Sequence, residues 1–158
     1  MKQHFIVAFD IGRSITYCLW YTNDMDGFVL SEGHLLQFDS VNDVRAYGRR
    51  KGISLQADTT AYSIAKIEAF LEDSSAEPDC NVLLDFWNIV QDMANAISTP
   101  FLGEDEETDR IYSKLFHGSN LPSVNASGKL YIPRWHPDEL DTLRRILCDG
   151  ITIIKEAL

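Results

Sequence analysis

The residue pattern of this chain changes once along its length, from that of β-strands to that of amphipathic helices. Within the first 38 residues, β-branched and aromatic residues are concentrated in short runs such as Ile15–Tyr21, with turn-forming residues between them. Beyond residue 40, apolar residues mostly recur at intervals of three and four, as in helices that bury one face. This order predicts an α+β fold, in which an N-terminal antiparallel β meander packs with a C-terminal set of about four to five helices.

Capping residues mark the ends of the predicted helices. Ser40 is a good N-cap and Gly52 a good C-terminal stop, so a helix is predicted between them. Asp79 is predicted to cap a helix that runs to about Ser98. Pro137 has the residue type favoured at the first position of a helix, and we predict that it opens the last one.

The region between the first two capped helices is predicted to contain a strand and a helix. Ile53–Ala57 is assigned as a short strand. Tyr62–Leu71 is assigned as a helix because Ile64, Ile67 and Leu71 recur at helical spacing.

The chain length is that of one domain, and we predict a single domain over all 158 residues. The acidic, turn-rich segment 72–79 is the best candidate for a sub-boundary within it. The three cysteines are odd in number and far apart, which does not resemble a disulfide framework. The first apolar run, Phe5–Phe9, is too short for a signal peptide, and no membrane-spanning run follows, so we expect a cytoplasmic protein.

The negative charge is concentrated in the middle of the chain. The formal net charge is −10, and the segment 67–109 contains twelve acids and no Lys, Arg or His. A charge of this sign argues against nucleic acids and anionic membranes as binding partners. Two interpretations remain open: an acidic face that only aids solubility, or a surface that recognises a basic protein. The second requires that these acids form one coherent anionic surface.

Two groups of acids within this segment are candidate binding residues. Asp85, Asn88, Asp92 and Asn95 fall on one line of the helix that follows Asp79. The two aspartates of this line lie too far apart for one metal ion, but their spacing suits a row of basic side chains. The second group is a charged run that we expect to open a helix, and it consists of Glu104, Asp105, Glu106, Glu107 and Asp109.

The three tryptophans have different expected roles. Trp87 belongs to the apolar stripe of its helix and is predicted to be core. Trp20 alternates along a strand and is either core or an exposed contact. Trp135 is a candidate interface anchor, and the alternatives are that it is exposed or that it folds back onto the core.

Asp10 carries the sharpest enzymatic hypothesis. The turn sequence Asp10-Ile-Gly-Arg-Ser14 resembles the first phosphate loop of the actin, Hsp70 and sugar-kinase superfamily and the first carboxylate strand of ribonuclease-H-like nucleases. The alternative function is therefore a metal-dependent phosphoryl-transfer enzyme or nuclease, in which Glu68 and Asp141 would supply further carboxylates. The chain lacks a second glycine-rich loop, and the simpler interpretation is an aspartate in a tight turn. No phosphate-loop, dinucleotide or zinc-protease motif occurs, so no cofactor is predicted.

The segments Asp85–Asn95 and Ile111–Pro122 resemble immunity proteins of bacterial contact-dependent growth inhibition and related polymorphic toxin systems. The resemblance continues through Tyr131–Trp135 and the last helix. It implies a non-enzymatic cytoplasmic protein that binds the C-terminal domain of its cognate toxin and neutralises it. Many such toxins are nucleases with basic surfaces, which an acidic inhibitor would complement. The resemblance supplies no contact positions, and it leaves the oligomeric state open.

Overall fold

The computed structural model describes all 158 residues and confirms the α+β class, with five helices. The strands are β1 (Gln3–Asp10), β2 (Ile15–Thr22), β3 (Gly27–Phe28), β4 (Leu30–Ser31), β5 (His34–Leu35), β6 (Gln37–Phe38) and β7 (Leu55–Ser63). The helices are α1 (Val41–Lys51), α2 (Ile64–Glu72), α3 (Cys80–Ala96), α4 (Asp109–Gly118) and α5 (Pro137–Ala157).

The antiparallel meander predicted for the first 38 residues is confirmed, and the sheet as a whole is mixed because a later strand joins it in parallel. β1 and β2 form an antiparallel hairpin, and the short strands β3 and β6 pair antiparallel with the other side of β2. β7 pairs with the free side of β1 and runs parallel to it. This direction follows from α1, which lies between β6 and β7. A helix that crosses over the sheet lets the next strand run in the same direction as the strand before it, and β6 already runs in the direction of β1.

β7 is also longer than predicted, and it includes the first residues of the predicted helix Tyr62–Leu71. The segment Thr59–Ser63 pairs in regular register with Ile6–Asp10, and this pairing keeps it extended. α2 therefore begins only at Ile64. The residues between Leu55 and the regular segment form an irregularity in the register.

Three of the predicted helix starts are confirmed. The hydroxyl of Ser40 accepts a hydrogen bond from the N–H of Asp43 at 3.1 Å, and Gly52 ends α1 with a φ of 66°. The carboxylate of Asp79 accepts a hydrogen bond from the N–H of Val82 at 3.3 Å. α5 begins at the predicted proline.

The acidic run Glu104–Asp109 does not open an α-helix as predicted. Most of it lies in two short 3-10 turns, Leu102–Glu104 and Glu106–Thr108, and α4 starts at its last residue. The buried side chain of Thr108 accounts for this difference, because its hydroxyl donates to the main-chain oxygen of Asp105 at 2.7 Å. This local hydrogen bond competes with regular helix formation.

Helices cover both faces of the sheet. α1 lies on one face over a small cluster formed by Ile6, Leu19 and Val44. The other face contributes to a larger core, which extends from Val7 of β1 to Ile154 of α5. β1 is therefore buried on both faces, whereas β7, at the edge of the sheet, is exposed along most of its length.

The acidic connection between α2 and α3 is attached to the last helix. Arg144 of α5 donates to the main-chain oxygens of Asp73 and Ser74 at 3.3 and 3.4 Å. The same guanidinium lies 5.3 Å from the centre of the Phe70 ring. The larger core contains residues from both sides of this connection. None of the five helices combines the length and the apolar character needed to cross a membrane.

Candidate protein-binding surface

α3 carries the predicted row of polar side chains on the side opposite its core contacts. Asp85, Asn88 and Asn95 are exposed, but Asp92 is half-buried. Trp87 of the same helix is only 2% exposed, which confirms its predicted place in the core. The row therefore exists, although its members do not all face open solvent.

Asp92 is held by a residue of the sheet. The indole N–H of Trp20 on β2 donates to Oδ2 of Asp92 at 2.8 Å. Burial raises the pKa of the Asp92 carboxyl, the Trp20 hydrogen bond lowers it in part, and the negative charge of Asp26 raises it again. The net effect is a raised pKa, so the surroundings of Asp92 destabilise its charged form.

Tyr62, near the end of β7, lies close to both aspartates of the row. Burial raises the pKa of its phenol to about 12, and the charges of Asp85 and Asp92 contribute in the same direction. Burial, followed by the charge of Asp79, also raises the pKa of Asp85. Neither Asp85 nor Asp92 forms an ion pair within the protein. A cation bound here would stabilise the charged forms of Asp85 and Asp92.

Two depressions meet at β7. One, of about 550 Å³, lies between α3 and the sheet and contains Asp92. The other, also of about 550 Å³, contains Asp85 and a single cation, Lys66. Thr60 and Tyr62 line both, so the two depressions adjoin at this strand. We call this surface the β7–α3 groove, and we define it by Thr60, Tyr62, Asp85, Asn88 and Asp92.

The acidic run Glu104–Asp109 is divided between two surfaces. Glu104 accepts a hydrogen bond from the side-chain amide of Gln91, which precedes Asp92 on α3. This contact places Glu104 near the end of the polar row. The structure thus brings one member of the run toward the β7–α3 groove.

Other members of the run face α5. Asp105 and Glu107 line a cleft of about 200 Å³ together with Arg110 and Arg145. Cations of the protein itself therefore share this part of the surface. The remaining two acids of the run are exposed, and they are Glu106 and Asp109.

Trp135 is half-buried and packs against the larger core. The ammonium group of Lys114 lies 5.5 Å from the centre of its ring, and Lys114 also pairs with Glu139 at 2.7 Å. Of the two alternatives for Trp135, the structure favours the one in which it folds back. Only part of its surface is left for a partner.

Nearly all of the twelve acids in segment 67–109 are without an ion-pair partner. The exception is Glu68, which lies 2.6 Å from Lys155. Asp73 is satisfied by hydrogen bonds from Ser75, which lower its pKa, with a further contribution from Arg144. The acids are spread over several surfaces, so the prediction of one coherent anionic surface is wrong; the β7–α3 groove and the adjoining Glu104 hold three of the twelve.

The carboxylate of Asp10 is used within its own turn. Its Oδ1 accepts the N–H of Gly12 at 2.9 Å, and Gly12 has a φ of 89°, which glycine adopts readily. Of the two further acids required by the nuclease hypothesis, Glu68 is paired with Lys155 and Asp141 is exposed on α5. No group of three or more His, Cys, Asp or Glu residues is arranged to hold a metal ion.

The contribution of β7 to this surface was not predicted from the sequence. Thr59, Thr60 and Tyr62 are strand-forming residue types, and this signal was outweighed by the helical spacing that follows. The contact between Trp20 and Asp92 joins positions 72 apart in the chain, and no local pattern indicates it.

A scan against protein-family models finds no match to this chain. Searches against curated proteins and against solved structures find no match either.

Proposed function

We propose that this protein is a non-enzymatic immunity protein that binds the C-terminal domain of a bacterial toxin in the cytoplasm and neutralises it. The toxin domain is a basic protein, and a nuclease fits best. The observation that carries this proposal is the pair of unpaired carboxylates, Asp85 and Asp92, in the β7–α3 groove. Because burial raises their pKa, both are stabilised in the charged form when a cation enters the groove.

The surroundings of Asp92 argue against a face that only aids solubility. A carboxylate serves solubility best when water surrounds it, as it does at Glu106. Asp92 is instead half-buried beside an indole ring and close to a second carboxylate, Asp26. A charged group that lowers the stability of the folded protein when no partner is bound is typical of a functional site.

The proposed mechanism of neutralisation is electrostatic mimicry. A nuclease needs a cationic surface to hold the phosphates of its substrate, and an acidic groove can occupy that surface in their place. Complementary charge steers the two proteins together at rates of up to about 10⁸–10⁹ M⁻¹s⁻¹ at low salt. An interface of standard size buries roughly 1,600 Å² in total, which exceeds the groove alone and leaves room for neighbouring contacts.

The test is co-expression with the C-terminal domain of a large secreted protein encoded beside this gene. We expect that domain to be basic and toxic by itself, and we expect this chain to restore growth and to co-purify with it. A second measurement follows the association rate at increasing salt, where a steep fall is expected.

The groove provides a matched pair of variants for the same experiment. Asp85→Asn with Asp92→Asn removes two charges from the groove, and Glu106→Gln with Glu107→Gln removes two from the exposed run. The proposal is supported if protection is lost in the first variant and kept in the second. Absence of a complex with the wild-type chain, or equal protection by both variants, would count against it.

A further inference from the structure

β7 is an open edge of the sheet that lies beside the acidic groove. Its only strand neighbour is β1, and between Thr59 and Tyr62 no main-chain group bonds to any other element. The one contact that covers this edge is in the irregular part of the strand, where Arg45 donates to the main-chain oxygen of Ala57 at 3.1 Å. In a regular strand, every second residue directs its N–H and C=O away from its neighbour. Those groups of β7 are therefore free to pair.

The opposite edge of the sheet is built differently. There the outer strands β3 and β6 are only two residues long, and the β4–β5 hairpin interrupts them. Short, broken edge strands are a usual way to prevent pairing with another chain. β7 keeps a regular segment of unpaired main chain next to unpaired carboxylates, so it is the edge suited to accept a further strand.

We propose that the partner binds by adding a strand to β7, and that this strand carries Lys or Arg at alternate positions. This inference rests on the proposed function, because the strand would belong to the basic toxin domain. Main-chain hydrogen bonds to β7 would fix its position, and its basic side chains would enter the β7–α3 groove. Strand addition to an exposed edge is a general mode of peptide recognition.

The alternation follows from the two faces of β7. Thr60 and Tyr62 line the depression that contains Asp92, so they are on the face toward α3. An added strand lies about 4.8 Å beyond β7, and every second side chain of it is on this face. Asp85 and Asp92 each line a depression together with Thr60 and Tyr62, so Lys and Arg side chains on this face point into these depressions. Asp92 lies further from the edge than β7 itself, because it bonds to Trp20 of β2.

Residues of the opposite parity would meet an apolar surface. The depression that contains Asp85 extends past β7 to the face toward α1, where Ala8, Ile15, Tyr17 and Val41 line it together with one acid, Asp10. Apolar side chains suit these positions, so the segment that fits β7 alternates between basic and apolar residues. A segment with this alternation can be searched for in the sequence of the toxin domain.

A second copy of this chain is a poor occupant of the same edge. Each copy has a net charge of −10 and carries Asp58 on β7 itself. Pairing two such edges would bring Asp58 and the groove carboxylates of both copies into proximity, and like charges across a strand pair are destabilising. Charge therefore favours a basic segment over self-association.

The test is amide-resolved hydrogen exchange by NMR, first on the free chain and then on its complex with the toxin domain. In the free chain, we expect the outward amides between Thr59 and Tyr62 to exchange freely and the protein to sediment as a monomer. In the complex, their exchange should slow by about tenfold or more. The regular amides of β1 serve as the internal reference.

A proline scan supplies an independent readout. Neighbouring residues in a strand direct their N–H groups to opposite sides, so only one of Thr60→Pro and Ala61→Pro removes an outward donor. The outward one is the residue whose amide is unprotected in the free chain. That variant should keep the wild-type circular dichroism and weaken the complex by about tenfold.

The outcomes separate the two proposals. A complex without protection at β7, or with full affinity for the outward proline variant, overturns the strand addition and leaves the proposed function standing. A free dimer already protected at β7 overturns it in favour of self-association. No complex with the toxin domain would overturn both proposals.

Discussion

The β7–α3 groove and the acidic run Glu104–Asp109 have similar charge in the sequence but different surroundings in the structure. Asp92 of the groove is half-buried and forms no ion pair, and Asp85, although exposed, also forms none, with Lys66 lining the same depression; burial raises the pKa of both. The acids of the run are exposed, and two of them share a cleft with two arginines. A count of charges therefore does not locate a binding surface. What matters is how far each charge is from water and whether the protein already neutralises it.

The sharpest test of this comparison is the affinity for the basic toxin domain. Asp85→Asn with Asp92→Asn should weaken binding by about 100-fold, because partner cations would lose their counter-charges in a partly desolvated site. The matched variant Glu106→Gln with Glu107→Gln should change the affinity by about threefold at most, as is usual for exposed charges. Isothermal titration calorimetry measures both. Equal losses would show that the two regions do not differ in function.

The stability of the free protein distinguishes two substitutions of one groove residue. Asp92→Ala removes the acceptor for the indole N–H of Trp20, and we expect it to lower the free energy of unfolding by about 1–2 kcal/mol. Asp92→Asn keeps an acceptor and removes a charge whose folded-state pKa is raised. A raised carboxyl pKa disfavours folding at pH values above it, so this variant should be as stable as the wild type at pH 7, or more stable. Chemical denaturation checks both, and a large loss in Asp92→Asn would contradict the account.

Binding should weaken as the pH falls. In the free protein, Asp85 and Asp92 take up protons at a higher pH than ordinary aspartates because their pKa is raised. A bound cation favours the charged form, so binding releases protons in the pH range between the free and bound pKa values. We therefore expect the affinity to fall as the pH is lowered through this range. The double Asn variant should lack this component of the pH dependence.

Charge reversal in the exposed run should act on the rate of association alone. Glu106→Lys should slow association by about two- to threefold at low salt and leave dissociation unchanged, since exposed charges steer the encounter. Asp92→Lys should slow association and also accelerate dissociation. Stopped-flow measurements at two salt concentrations separate these effects.

The smallest effect is expected at Asp10, on the margin of the same surface. Asp10→Asn keeps an acceptor for the N–H of Gly12, so the turn, the stability and the toxin affinity should all be close to wild type. Calorimetric titration of the wild type with Mg²⁺ and Mn²⁺ tests the competing enzymatic hypothesis. Uptake of either ion that Asp10→Asn abolishes would support that hypothesis over the immunity function.

Local signals in the sequence predicted the fold class and the starts of three helices. Ser40, Asp79 and Pro137 act through contacts within one turn, so their residue types alone indicate where α1, α3 and α5 begin. The parallel pairing of β7 with β1 could not be predicted in this way. It depends on contacts between residues about 50 positions apart, and it extended the strand through residues assigned to a helix.

The same distinction applies to the candidate site. Helical spacing was sufficient to align Asp85 with Asp92, because both lie on one element. The partner of Asp92 on β2 and the splitting of the acidic run depend on tertiary packing. The partial burial of Asp92, which distinguishes it from the acids of the run, is therefore a property of the folded protein, and the sequence does not show it.

The most direct measurement is the titration of the side-chain carboxyl carbons of Asp85, Asp92 and Glu106 by ¹³C NMR, in the free chain and in the complex with the toxin domain. We expect raised pKa values for the two aspartates in the free protein and a fall in both on binding, with little change at Glu106. Unchanged aspartate titrations in the complex, with a shift at Glu106 instead, would show that the partner's cations bind the exposed run and not the groove.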